Sequence, residues 1–463
     1  MSRFARGTPA RLLAERVGVL DEAVVLSKDE CADIVSRALK ASRADACRVT
    51  VSSQYQTNLR FADNQMSTSG ISDDVTITVT AVVGRKRASA TTNDSSPEGL
   101  ARVVAQAEAL ARLAPDDPEL LPELGAQQYR PVTAWFDSTA QLTAEARARA
   151  AMTALGPARS GKEFTVAGYI ECSASAVAIG TSAGCFAHHR ATNANYTLTV
   201  RTNDGTGSGW AAADANDWAR IDFNDVSARA IAKARASRNP VAIEPGRYTV
   251  IFEPQAVSDL LGGVRFAFNA RAADEGRSPF SKAGGGTKLG ERIVDPRITM
   301  RSDPFDAQLP GTPFDGDGLP LSTTTWVQDG VLSALGYDRF YANKMGKAPT
   351  GNGGALVMAG GDTPLAAMIA KAERAVVVTR LWYLRPVNQR QLTTTGLTRD
   401  GTFLVENGKI ARSIKNFRFN DSPLFLLNNI EALGPTVRTG EGGTVVPPVM
   451  SRDFNFTSLS DAV

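Results

Sequence analysis

Between Ala375 and Ser422 the chain reads AVVVTRLWYLRPVNQRQLTTTGLTRDGTFLVENGKIARSIKNFRFNDS, and this stretch constrains the fold more than any other. Ala375–Thr379 is a β-branched run of the kind that forms a buried strand. Phe403-Leu404-Val405 leads through Glu406-Asn407-Gly408-Lys409 into Ile410 and Ile414. Asn-Gly between two apolar runs is the strongest short-range hairpin signal, because both central residues of a type I′ turn need φ > 0. Thr398-Arg399-Asp400-Gly401 is expected to be a second tight turn between strands, with Arg399 projecting from it. Arg380, Arg385, Asn388, Arg390, Arg399, Asn416, Arg418 and Asn420 crowd the flanks of these strands. They read either as a solvated sheet face or as one wall of a groove.

The chain has 463 residues, too many for one ordinary core, so two or three domains are expected. Hydrophobic content of 43% and charged content of 21% suit a soluble globular protein, and no apolar run reaches membrane-helix length. The first residues, MSRFARGTPARLLAERVGVLDEAVV, scatter Arg and Glu among apolar positions, so no signal-peptide h-region is expected and a cytoplasmic location follows. Net charge is +3, from 51 basic and 48 acidic residues without a basic block, which argues against direct nucleic-acid binding.

Cys31, Cys47, Cys172 and Cys185 lack CxxC spacing and read as four buried thiols. The only histidines, His188 and His189, are adjacent; on a strand they point to opposite faces and cannot share a metal. A zinc site needs three or four N, S or O ligands, so the chain's own histidines cannot build one.

Ser27-Lys28-Asp29-Glu30 is a capping box before a helix. Strand-like runs follow at Arg48–Ser53, Asn58–Ala62 and Val75–Val83, and Ser96-Pro97-Glu98 opens another helix. A similar order recurs: a helix at Ala140–Leu155, runs at Thr165–Cys172, Ala176–Ile179, Phe186–His189 and Tyr196–Thr202, then a helix at Val226–Ser237. Roughly 27–115 and 140–237 therefore look duplicated. Arg238-Asn239-Pro240 marks a boundary. The expected class is α+β: residues 1–238 form an N-terminal domain with a mixed or antiparallel sheet and helices on one face, and 239–463 form a β-rich domain with a closed or sandwiched sheet. After Pro254 the apolar positions Val257, Leu260, Leu261, Val264 and Phe268 keep helical spacing. GRSPFSKAGGGTKLG and Thr350-Gly351-Asn352-Gly353-Gly354 are Gly-rich loops, and Pro364–Ala372 is a short helix. Trp326, Tyr337, Phe340, Tyr341, Trp382 and Tyr383 look exposed, which suits a dimer interface.

GGGTKLG is not a P-loop, since Lys288 is followed by Leu289. Asp315 and Asp317 lack the other positions of a calcium loop and read as a turn. Asp303, Asp306, Asp315 and Asp317 leave open a hydrolase working on carboxylates without metal.

Four segments carry a family resemblance: TRLWYLRPVNQRQLTTTGLTRDGTFLVENGKIARSIKNFRFNDSPL, GTPFDGDGLPLSTTTWVQDGVLSALGYDRFYANKMG, PTGNGG and NLRFADNQ. Together they resemble the TldD/PmbA family of metalloproteases, also described as modulators of DNA gyrase. The resemblance implies an α+β domain, a β-rich domain, and a heterodimer with a TldD-like catalytic subunit that acts on peptides. In that pair the TldD-type subunit carries zinc on an HExxxH helix with a downstream cysteine. This chain departs from that pattern: Gly262, Gly263 and Ala267 stand where the histidines and glutamate belong, and no cysteine follows Cys185. It resembles the PmbA/TldE-type subunit, inactive by itself, with no catalytic residue, metal or cofactor of its own. In that frame Arg380, Arg399, Asp400, Asn416 and Arg418 become candidates for holding an extended peptide by β-addition. A stand-alone peptide-binding homodimer remains the alternative partner reading.

Overall fold

The structure is a computed structural model that describes residues 25–351 and 354–460. The leading residues read above for a signal peptide lie outside them, as do Asn352 and Gly353 of the second Gly-rich segment. Six strands form the first sheet: β1 (Ala46–Ala62), β2 (Gln65–Val83), β3 (Lys86–Thr92), β4 (Phe164–Thr181), β5 (Phe186–Thr202) and β6 (Ser208–Ala215). Their order is β3-β2-β1-β4-β5-β6, antiparallel throughout. The two units share one order of elements, helix–three strands–helix, and meet through their first strands, β1 and β4. Runs that sequence divides, such as Arg48–Ser53 and Asn58–Ala62, are single long strands here. Polar residues at the middle of β1 interrupt the apolar pattern without interrupting the ladder.

Helices Lys28–Ala41 and Pro97–Leu113 cover one half of one face, and Ala144–Gly161 and Phe223–Ala236 cover the other half. Ser27 caps the first as expected: its hydroxyl accepts from Glu30 N at 3.2 Å, and the Glu30 carboxylate accepts from Ser27 N at 2.8 Å. Odd-numbered Val49, Val51, Leu59 and Phe61 face these helices, so the period of two runs unbroken along β1. Close packing explains Gly168, where a Cβ would lie 2.3 Å from Phe61 Cζ.

The second half contains β7 (Gly246–Phe252), β8 (Met300–Ser302), β9 (Thr324–Gln328), β10 (Val331–Leu332), β11 (Leu356–Met358), β12 (Arg374–Asn388) and β13 (Thr393–Glu406). It continues with β14 (Lys409–Ser413), β15 (Asn416–Asp421), β16 (Ile430–Leu433), β17 (Val437–Arg438), β18 (Thr444–Val446) and β19 (Val449–Ser460). Strands β12, β7, β19, β15 and β13 pair in that order, and β13 pairs back to β12, which closes a barrel. A smaller sheet runs β10-β9-β8-β11-β18-β17. The expected α+β class with a closed β-rich second half is what the chain adopts.

Ala375–Val378 is buried on both faces: Val376 and Val378 join the main core, and Ala375 and Val377 join a second cluster with Met368. Asn407 and Gly408 turn β13 into β14 with φ of 50° and 78°, as Asn-Gly predicts. Thr398–Gly401 is not a turn. β13 runs through it, and Asp400 (φ 56°) and Gly401 (φ 126°) form a bulge opposite Thr379, where β12 has one residue fewer. Asp-Gly reports positive φ, which a bulge satisfies as well as a turn does. Two of the aromatics expected outside are core: Trp326 and Tyr341 are buried, whereas Trp382 and Tyr383 are 39% and 53% exposed.

Candidate active-site helix and domain junction

The helix after Pro254 buries Val257, Leu260, Leu261, Val264 and Phe268, as its periodicity requires. It is interrupted, however. Pro254–Leu261 ends at Gly262-Gly263, and one further turn spans Val264–Ala267. Both glycines keep right-handed helical angles (φ −51° and −82°). A Cβ on Gly262 would come no nearer than 3.4 Å, and one on Gly263 would meet nothing. Sterics do not demand glycine here; the pair weakens the helix through its low intrinsic propensity.

Gly263 and Ala267 border a cleft of about 650 Å³, walled by Phe266 and Asn269 and by Pro386, Asn388, Thr393 and Thr394 of the β12–β13 arm. These residues do not fit a zinc ion. Gly262, Gly263 and Ala267 carry no donor, and the nearby carboxylate of Asp259 is already committed. Its oxygens accept from Gln255 Nε2 and from the Leu381 backbone N–H, each at 2.8 Å, and burial pushes its pKa up to about 6. No group of three or more His, Cys, Asp or Glu able to hold a metal occurs among the described residues. His188 and His189 sit opposite Ala178 and Val177 in the β4–β5 ladder, on opposite faces. Burial holds both imidazoles below their ordinary pKa, His189 at about 4.

Arg380, Arg399 and Asp400 are brought together, but in a junction between the two halves of the chain. Asp400 is 3% exposed. Its Oδ1 accepts the Ser208 hydroxyl at 2.6 Å, and its Oδ2 lies 3.8 Å from Arg380 Nε and 3.7 Å from Arg399 Nε. Arg380 lies over the Trp210 ring at 4.6 Å and Arg399 over Trp382 at 4.1 Å. Burial lowers the Arg399 pKa, and Asp400 opposes that. Arg399 therefore does not project from a turn. Asn416 shares a 160 Å³ cavity with Asp400, Ser208, Ser237 and Ser413, and its Oδ1 accepts from Thr398 and Thr402 at 3.2 and 2.9 Å. Arg418 lies two residues along β15, exposed and apart from that cavity.

Sequence missed the other half of this junction. Ser208 and Trp210 come from β6, Lys233 pairs with Glu253 at 2.6 Å, and Arg438 holds Asp214 at 2.7 Å and Asn193 at 2.9 Å. No local signal predicts contacts between residues this far apart in the chain. The four aspartates considered for metal-free hydrolysis are likewise occupied. Asp303 and Asp306 hold Arg301, Asp315 accepts two backbone N–H groups of its own turn, and Asp317 pairs with Arg48.

Beyond Leu381 the β12 arm is open. β7 pairs with β12 only at Val376–Val378. Tyr383 has φ 55°, and Trp382, Tyr383 and Val387 are 39%, 53% and 57% exposed. This segment pairs with β13 on one side, and no strand is paired along its other side among the described residues.

Comparison with known proteins agrees with this architecture. The PmbA/TldA metallopeptidase C-terminal domain matches residues 245–458, domain 1 matches 47–111, and the central domain matches 137–238. A protein named metalloprotease from Methanothermobacter thermautotrophicus is 27% identical over 168 residues, 34% of this chain and 36% of that one. The matched part thus spans about a third of that relative. Metalloprotease PmbA of Escherichia coli O157:H7 is 24% identical over 460 residues, covering 90% of this chain and 95% of that protein. The crystal structure of TldE from Thermococcus kodakarensis superposes with a TM-score of 0.84 at 17% identity, over 92% of this chain and 100% of that one. The chain belongs to the PmbA/TldD metallopeptidase family.

Proposed function

We propose that this chain is the metal-free partner of a TldD-type catalytic subunit, contributing assembly and peptide binding to a heterodimeric peptidase. The observation that carries the reading is the donor-free helix: Gly263 and Ala267 border a cleft, and neither they nor the adjacent Gly262 has a side chain that can ligate zinc. The open edge of β12 beside that cleft supports an extended peptide adding as a further strand, its backbone paired and its alternate side chains sampling the cleft. The groove proposed from Arg399, Asn416 and Arg418 is narrowed accordingly. Arg380, Arg399 and Asp400 hold the two halves in register, and the peptide lies on the arm they support.

A cytoplasmic setting goes with this reading and with four unpaired cysteines, Cys31, Cys47, Cys172 and Cys185. No described helix is long and apolar enough to cross a membrane. The division at 238/239 belongs to the same proposal. The test is reconstitution. The chain alone is expected to leave an unfolded peptide uncut, and mixing it with a TldD-type subunit is expected to give a stable complex that cleaves it. Cleavage by the lone chain, or no association at micromolar concentration, contradicts the reading.

A further inference from the structure

Phe266 stands on the single turn that follows the glycine pair and is 69% exposed, although Val264, Ala267 and Phe268 around it are buried. A single exposed apolar side chain is ordinary on a protein surface; what distinguishes Phe266 is the cavities it borders. Phe266 borders two cavities at once. One is the 650 Å³ cleft reached from the β12–β13 arm. The other, about 430 Å³, is walled by Phe266, Phe268, Trp326, Asn269, Ser302 and Arg265, among others.

The smaller cavity has an aromatic floor. Trp326 and Phe268 line it, and fully buried Phe280 continues the stack behind them, with centroids 5.3 Å apart at each step and interplanar angles of 10° and 14°. Much of its polar wall is already used internally. Trp326 Nε1 donates to Ser302 Oγ at 2.8 Å, and Asn269 Oδ1 accepts from Ala272 N at 2.8 Å. The Arg265 guanidinium lies over the Phe266 ring at 4.6 Å. What the wall offers an occupant is therefore ring faces and one cation spread over a ring. That chemistry favours an aromatic side chain, which gains stacking and cation–π contact beyond its area burial. Its size falls within the range of small-ligand pockets.

We propose that Phe266 and Trp326 frame a specificity pocket that takes one aromatic side chain of an extended peptide lying along the free edge of β12. The inference rests on the proposed peptide-binding role and adds the substrate class to it: polypeptide segments carrying Phe, Tyr or Trp. Phe266 is the shared wall between the strand-like arm and the pocket, so a side chain leaving the added strand enters past it.

The test uses the full chain and fluorescein-labelled short peptides of one extended Ser/Thr-rich sequence, varied at a single central position among Trp, Phe and Ala. Fluorescence anisotropy is expected to show the Trp and Phe peptides binding roughly tenfold more tightly than the Ala peptide. Phe266→Ala should abolish that preference, so that the variant binds the Trp, Phe and Ala peptides alike. Because Phe266 is exposed, the variant should melt like the wild type, and a melting scan checks it. Equal affinity of the wild type for all three peptides, or a preference that survives Phe266→Ala, overturns the pocket while leaving the peptide-binding role standing. Failure of every peptide to bind overturns both.

Discussion

Two polar regions of this molecule have nearly the same sequence signature and opposite character. At the junction, buried Asp400 lies beside half-buried Arg380 and Arg399, whose guanidiniums lie over Trp210 and Trp382, and a hydroxyl from the other half of the chain closes the group. On the arm a few residues away, Trp382, Tyr383 and Val387 lie exposed along a strand edge, and Pro386 and Asn388 of the same strand border a cleft. The first is a set of charges whose main partner, the Asp400 carboxylate, lies inside the protein. The second is a surface whose hydrogen-bonding and apolar capacity is unspent. Charged residues in a motif-dense stretch thus divide by whether their partners lie in the same chain, and here those partners sit at the junction.

The comparison breaks most visibly if Asp400 is removed. Asp400→Ala removes the buried carboxylate beside half-buried Arg380 and Arg399 and should cost about 3 kcal/mol in urea unfolding. Loss of less than about 1 kcal/mol would mean that the junction is as solvated as the arm.

Asp259 offers a pH handle on the same side. Its folded pKa, about 6 because of burial, exceeds the ordinary aspartate value of 3.8. The folded state therefore binds more protons than the unfolded chain between those values. This contribution is fully present below about pH 4 and is lost as pH rises through 6. Asp259→Asn should remove that slope, a change of about 1–3 kcal/mol between the two ends of the window. An unchanged stability-against-pH curve would contradict the burial assigned to this carboxyl.

Gly262 and Gly263 give the smallest effect with the opposite sign. Their backbone is helical and a Cβ has room, so Gly263→Ala should stabilise by about 0.5–1 kcal/mol. Destabilisation would show that the helix must break there for the cleft to form.

Much of the fold was legible because its signals are local. Asn407-Gly408 specifies its turn, Ala375–Val378 reads as doubly buried, and the recurring helix–strands–helix order gives the two halves of the first sheet. The Asp400-Gly401 bulge was misread because a positive φ at adjacent residues has the same dipeptide signature in a turn and in a bulge. Long strands were cut short where polar residues such as Gln54 and Gln56 fall mid-ladder, since pairing on both sides holds them in register. The candidate site was half visible. The helix without side-chain donors was picked out by the family resemblance and its register, but the Ser208–Asp400 bond spans 192 residues and depends on how the two halves pack. Burial of Trp326 was equally hidden, because its Phe268 and Phe280 partners come from other segments.

The most direct test of the account is to count zinc in the assembled complex. Elemental analysis of a purified one-to-one pair of this chain with a TldD-type subunit should find one zinc per pair and none above background in this chain alone. Two zincs per pair, or stoichiometric zinc in the isolated chain, would contradict the proposal that the helix after Pro254 has no ligands to give.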